Sequence, residues 1–562
     1  MLATLFLLFS ACDGPGGGGA DGPLDGGLTA LEITPAALDL RTSAAGASTA
    51  AFTVRATFAN GYVEEDFQQV AWSLTNLSAG TVDDRGTFTT SVTNGGRTYV
   101  VAEADGLSAL ADVTVTYDEV VLGDGVPAGA AAAFAGTPTA DSALGLAYPT
   151  DGVSVPRNLP RMDFHIADTT GADLYQIVFD SSTTHVEAIV TEPELAVSGE
   201  FWRMVTATNA GSDVTVSIRA ASVTFAGDEV ASVTALREGA PIRMVINRLD
   251  ATGAIYFFVT TDSGIARAAV DADGWEYWFS NSSGNAGGAC VGCHVVSADG
   301  ARMSYSFSVG GSGDRFGLAE IIDGTPEIVV SHDTRADSGY FTTMDPTGSF
   351  VAVAYAGTID VHDASDGSLV STIDHENGLT MPDWSPDGSA LVAVGAYEVR
   401  LDSAFPKSGL LVFPHLGEGQ FGPGETLVPI EDDTWYYYPA WSPDGRWVAY
   451  NRSQTGTYFS ADAALYMISA DGGEGIPLAN ANGVDGNASW PRWGPIPDDD
   501  VLWLAFSSNR DFGAYPAPFP QVWITAVNPS LAEEGADPSF PAFRMPQQEL
   551  ARGNHAPWWS AF

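Results

Sequence analysis

Cys290, Cys293 and His294 stand together in the string CVGCH. Two cysteines separated by two residues and followed at once by histidine form the attachment pattern for a c-type haem. Each thiol can add to one vinyl group of the porphyrin, and the adjacent imidazole can then supply the proximal nitrogen to iron. The only other cysteine, Cys12, ends an apolar N-terminal run. A structural zinc site would want four Cys or His ligands, and the sequence offers no second CxxC and no HxxxH pair. A thioredoxin-like redox pair would want a βαβ context, which the flanking residues lack. The pattern predicts one covalent haem c per chain, with a plain disulfide or an inert cysteine pair as the alternatives.

Export fits this reading, because c-type attachment takes place outside the cytoplasm. Residues 2–11, LATLFLLFSA, are apolar and end in small residues before Cys12. They resemble a bacterial lipoprotein signal (residues 1–12), in which the cysteine is lipidated and becomes the mature N-terminus. An ordinary secretory signal is the alternative. Ten apolar residues cannot cross a hydrocarbon layer ~30 Å thick, so the lipid on Cys12 would be the only membrane attachment. The implied location is the cell envelope, as a periplasmic or cell-surface lipoprotein.

The chain of 562 residues carries 70 acidic against 23 basic residues, a net charge of −47, and Lys407 is its one lysine. That balance excludes a general nucleic-acid binder, which must neutralise phosphates with basic groups. It favours solubility and attraction to basic partners. Residues 13–28, DGPGGGGADGPLDGGL, read as a flexible tether.

Beyond the tether, short runs of alternating Val, Thr, Phe and Tyr are bounded by Gly, Asp and Asn, which predicts an all-β chain. Residues 29–117 carry evenly spaced strands of this kind, as in a two-sheet sandwich. The strings LEITPAALDL, ATFANGYVEEDFQQVAWSL and GLSALADVTVTY resemble a bacterial Ig-like group-2 domain, which implies a spacer or stalk. Residues 118–247 read as a second, fibronectin-like sandwich with Trp202 in its core and with His165 and His185 as structural or surface residues.

The remainder, 248–562, carries an internal repeat: VVSADGARMSYSF, TMDPTGSFVAVAY, PDWSPDGSALVAVG, PAWSPDGRWVAYN and a degenerate PRWGPIPDDDVLWLAFSS. Aligned at Ser297, Asp345, Ser385, Ser442 and Gly494, the units recur at intervals of about 40–57 residues, the length of a four-stranded propeller blade. Each joins two strands through an aspartate–glycine turn. The repeat resembles that of TolB-type propellers, with WSPDG at 384–388 and again at 441–445 as the nearest matches. The chain ends in HAPWWSAF, half a repeat, while residues 254–280 read as three strands lacking a first one. Joining the two ends gives six blades and leaves no open edge.

In this alignment His294 matches Pro382, just before a first strand, which puts the haem at one mouth of the central channel. For a sixth iron ligand His555 ranks first, then Met381 and His332. The acidic strings 498–500 and 431–433 could bind calcium. No GxSxG elbow, HExxH helix or P-loop is present, so an enzyme is the less favoured reading. The leading expectation is an electron-transfer protein whose acidic propeller docks a basic redox partner. The alternative is a TolB-like envelope propeller that binds protein or glycan and whose haem is structural or sensory.

Overall fold

Why the chain closes on itself follows from what its two ends lack. In the computed structural model, which describes residues 26–280, 291–308, 314–330, 339–396, 405–457, 460–484, 486–496 and 500–561, the C-terminal strand Asn554–Ser560 pairs antiparallel with Ala254–Val259. It thereby supplies the innermost strand of a sheet that continues through Gly264–Ala269 to Glu276–Ser280. Five further sheets start from the inner strands Val291–Val296, Phe341–Met344, Leu379–Trp384, Trp435–Trp441 and Ala488–Trp493. Each inner strand packs beside the next, and Asn554–Ser560 meets Val291–Val296 to close the ring. The six-bladed propeller expected from the repeat is the observed fold.

The repeated turn has a local chemical cause. Ser385 Oγ donates to Asp387 Oδ1 at 2.7 Å and accepts from Ala390 N at 2.9 Å, while Gly388 N closes the turn on Ser385 O at 3.0 Å. Ser297 with Asp299 and Ser442 with Asp444 repeat these bonds. Gly388 lies at φ 74° and Gly445 at φ 72°, in the left-handed region. A Cβ on Gly388 would meet Pro346 only at 3.6 Å, so space is not the constraint. Gly388→Ala is therefore expected to destabilise the protein by about 1–2 kcal/mol through backbone strain alone, read as a lower urea midpoint with an unchanged slope.

The chain divides into two compact units, 1–117 and 118–562. In the first, strands such as Thr53–Phe58 alternate buried and half-exposed residues, as a sheet with one covered face must. Phe52, Val54, Phe88, Val100 and Val113 form its core. Ala37–Thr42 runs parallel to the 112–117 stretch of Leu107–Leu122.

The second unit holds another sandwich in front of the propeller. One sheet contains Leu174–Asp180, Thr184–Val190, Ser212–Ala226, Glu229–Glu238 and Ile242–Asn247; the other pairs Leu144–Tyr148, Arg161–Asp168 and Glu194–Ser198. Trp202 is fully buried, as expected, but on a helix, Gly199–Thr208, that strand-rich sequence did not signal. Trp202, Val205 and Thr206 fall on its inward face at helical spacing. His185 bridges Asp180 and Glu187 at the sandwich surface. His165 is buried, with Nδ1 3.0 Å from Phe512 O of the propeller. Among the described residues no helix is long and apolar enough to cross a membrane.

Candidate functional site

Five of the six inner strands break register at the same level of the channel. The extra pairs are Gly292–Cys293, Met381–Pro382, Tyr438–Pro439, Trp490–Pro491 and Ala556–Pro557, each opposite one residue of the neighbouring strand. These are β-bulges, which re-aim side chains at barrel rims and sites. Proline is tolerated there because the bulge leaves one N–H without a ladder partner. The residue before each proline is in the left-handed region: φ is 50° at Met381, 50° at Tyr438, 61° at Trp490 and 50° at Ala556. A non-glycine residue in that region costs about 1–2 kcal/mol, and strain of this kind concentrates at functional sites.

The result is a ring with one residue from each blade: Cys293, Phe341, Met381, Tyr438, Trp490 and Ala556 border a cavity of about 20 Å³, room for a single water. Tyr438 and Trp490 stack with centroids 4.0 Å apart, and Phe341 lies 5.8 Å from both. His294 borders the same cavity and is 5 % exposed. Its Nδ1 is 3.3 Å from Gly292 O. A carbonyl can only accept, so Nδ1 carries the proton and Nε2 keeps its lone pair. Nε2 is buried and has no hydrogen-bond partner among the described residues. Burial, assisted by the positive charge of Arg492, pushes the His294 pKa down to about 4, so the ring is neutral at pH 7. The Tyr256 backbone also acts on the ring. A neutral imidazole whose second nitrogen keeps its lone pair is the form that ligates iron.

The other residues singled out in the sequence are distributed unequally around this cavity. Met381 borders it and is 3 % exposed. His555 lies behind the ring: its imidazole meets Trp490 edge-on at 4.9 Å, and its Nδ1 is 2.9 Å from Ser507 Oγ. Burial lowers its pKa to about 3. Cys12, Cys290 and His332 lie outside the described residues. Of the acidic strings, Glu431 accepts from Tyr436 Oη at 2.8 Å, Asp432 pairs with Lys407 at 2.7 Å and Asp500 pairs with Arg248 at 2.8 Å. Asp498 and Asp499 lie outside the described residues. Among the described residues no group of three or more His, Cys, Asp or Glu side chains converges as a metal site.

One layer further along the channel is a feature that the sequence reading missed. Arg492 Nη1 lies 3.0 Å from Asp383 Oδ1, joining the fourth blade to the sixth, and Asp383 Oδ2 accepts from Trp441 N at 2.8 Å. The Arg492 guanidinium also covers the Trp558 ring at 4.8 Å. Burial raises the Asp383 carboxyl to about 6 despite the opposing pull of Arg492. Arg492 borders both the 20 Å³ cavity and a second one of about 340 Å³, so the pair partitions the channel. The signal was present in the strings MPDW, YPAW, WPRW and APWW, whose third residues occupy this layer.

No family model matches the sequence, and no curated protein matches it. Among solved structures the chain is similar to TolB from Acinetobacter baumannii, at 12 % identity and a TM-score of 0.36, over 62 % of this chain and 80 % of that one. It is similar to a TolB-type chain from Agrobacterium tumefaciens, at 16 % identity and a TM-score of 0.30, over 53 % of this chain and 89 % of that one. It is also similar to hydrazine synthase from Kuenenia stuttgartiensis, at 15 % identity and a TM-score of 0.33, over 51 % of this chain and 80 % of that one.

Proposed function

We propose that this chain is an envelope lipoprotein that carries one haem c at one mouth of its propeller's channel and transfers electrons. The observation that carries the reading is the state of His294: neutral, tied through Nδ1 to Gly292 O, with a buried Nε2 beside Cys293 that keeps its lone pair. That donor arrangement suits the proximal nitrogen of a CxxCH haem. Cys290 and Cys293 would hold the group covalently, and the haem would supply a one-electron couple when bound. The chain's own part is positional. The bulged inner strands fix Cys293 and His294 at one depth, which the stacked Tyr438 and Trp490 and the tilted Phe341 line with apolar rings. Met381 is the better-placed candidate for the far side of the group, because it borders the cavity, whereas His555 lies behind Trp490. Cys12 would anchor the chain by lipid, and the acidic surface would steer a basic redox partner.

The second reading is a TolB-like envelope propeller that binds a protein or glycan and whose haem is structural or sensory. The wide cavity beyond the Asp383–Arg492 pair favours it, being large enough for a ligand and walled in part by Trp558. Voltammetry on protein matured with a c-type attachment system separates the two. A reversible one-electron wave that shifts to lower potential in Met381→Ala is expected for the carrier, since a methionine ligand raises the potential. A redox-silent haem, unaltered by Met381→Ala, would leave the binding propeller.

A further inference from the structure

A cavity of about 270 Å³ lies between the second sandwich and the last blade of the propeller. We propose that it binds a small monocarboxylate, a role independent of the haem reading. The cavity is bordered by Arg161 and Asp163 on one sandwich strand, by Glu194 on the next, and by Tyr515 and Arg544 from the propeller.

Two guanidinium groups there lack the usual partner. Acids outnumber bases 70 to 23 in this chain, and Arg237, Arg267 and Arg552 each rest on carboxylates. Arg544 is only 4 % exposed, yet its bonds go to neutral acceptors: Gln521 Oε1 at 3.1 and 2.8 Å and Gln548 O at 2.6 Å. None of these uses Nη1. Arg161 donates from Nη2 to Pro546 O at 2.5 Å, and its buried Nε has no partner among the described residues. A buried cation with no hydrogen-bonded anion is costly, and the Asp163 charge offsets only part of that cost for Arg544. Burial lowers the Arg544 pKa to about 10.

The geometry narrows the ligand. Both guanidinium groups are pinned by carbonyls of one short segment, Pro546 and Gln548. Their separation is thus set before anything binds, and planar forks in fixed positions suit a planar carboxylate. Glu194 is exposed and accepts from Tyr515 Oη. Asp163 lies two residues from Arg161 on the same strand face; its carboxylate acts on Arg544 through charge, with no side-chain hydrogen bond among the described residues. Two carboxylates, Asp163 and the exposed rim residue Glu194, already border the cavity with the two cations, so the ligand carries at most one negative charge and a dianion would be opposed. Leu195, Phe512 and Leu550 on the wall favour a short apolar tail.

The test is calorimetric titration of the whole protein with butyrate, acetate, phosphate and chloride at matched ionic strength, with thermal shift as a second readout. Saturable binding of both carboxylates is expected, butyrate being tighter, with no saturation by phosphate or chloride. Arg161→Gln should weaken butyrate about tenfold or more, the worth of one charged hydrogen bond. Asp163→Asn breaks no described side-chain hydrogen bond and should tighten butyrate about threefold or more by removing a like charge. Absence of saturable carboxylate binding would overturn the proposal, as would phosphate binding as tightly as butyrate. Weaker butyrate binding by folded Asp163→Asn would do the same.

Discussion

Removing residues 554–562 is expected to abolish folding of the propeller rather than to trim it. The strand Asn554–Ser560 is the inner strand of the first blade and pairs with Ala254–Val259 along nearly its whole length. Trp559 is 5 % exposed and donates from Nε1 to Thr252 O at 2.8 Å; Trp558 donates from Nε1 to Val296 O of the second blade at 2.9 Å. Without the strand, the first blade presents an open edge to the channel, and the ring of inner strands is broken at two contacts. Truncating one buried Trp alone costs about 3–5 kcal/mol, and whole domains are stable by only about 5–15 kcal/mol. Loss of the strand therefore exceeds what the fold can bear. Expression of the shortened chain should yield aggregate, while Trp559→Ala should yield a soluble monomer with a much lower melting temperature. A shortened chain that eluted as a monomer and melted with the full-length protein would show that the ring does not depend on this closure.

The next largest effect belongs to the Asp383–Arg492 pair. Arg492→Met leaves the Asp383 carboxyl with only Trp441 N as a donor inside the channel. Breaking one side of a buried pair costs about 3–5 kcal/mol. The loss must depend on pH, and its sign follows from the Asp383 pKa. Burial already raises that carboxyl to about 6, against about 3.9 in an unfolded chain. Between those values the folded state holds a proton that the unfolded state has released. The group's contribution to stability therefore falls as pH rises through about 6. Without Arg492 the carboxyl titrates higher still, so the variant keeps losing stability where the wild type has levelled off. Urea denaturation should show a deficit that is small near about pH 5 and large near about pH 8. Pairing the change with Asp383→Leu should restore most of it, because neither charge is then buried. An equal deficit at both pH values would mean that the pair contributes shape and not charge.

How far the sequence could be read depended on the distance over which each feature is built. The blade turns were legible because Ser385, Asp387 and Gly388 make their bonds within six residues, and Ser442, Asp444 and Gly445 do the same. Ring closure was legible as well, since HAPWWSAF matched half a repeat and residues 254–280 matched the other part. The depth of the site was only partly so. The alignment put Cys293 and His294 at the channel, but which side chains share that depth is decided by bulges that turn Met381, Tyr438 and Trp490 to positive φ. A strand-by-strand alternation cannot foresee them. His555 ranked ahead of Met381 in sequence because its repeat neighbours that of His294, whereas Met381 lies two blades away; the bulge at Ala556–Pro557 leaves His555 one position off the ring. Asp383 and Arg492 are 109 residues apart, and no local pattern links them. The helix Gly199–Thr208 was missed because Phe201, Trp202, Val205 and Thr206 all favour strands.

Whether CVGCH holds a covalent haem is read from the pyridine haemochrome of the whole protein. Protein made in a host with c-type maturation would be compared with a Cys290→Ala/Cys293→Ala variant and with His294→Ala. The account predicts a c-type α-band that survives acid–acetone extraction in the wild type and is absent from the double cysteine variant. In His294→Ala the covalent band should persist in any haem attached, with altered axial ligation in the native spectrum. A wild-type protein that folds, melts cooperatively and carries no haem would contradict the account. His294 would then be a packed channel residue and Cys293 half of a plain cysteine pair.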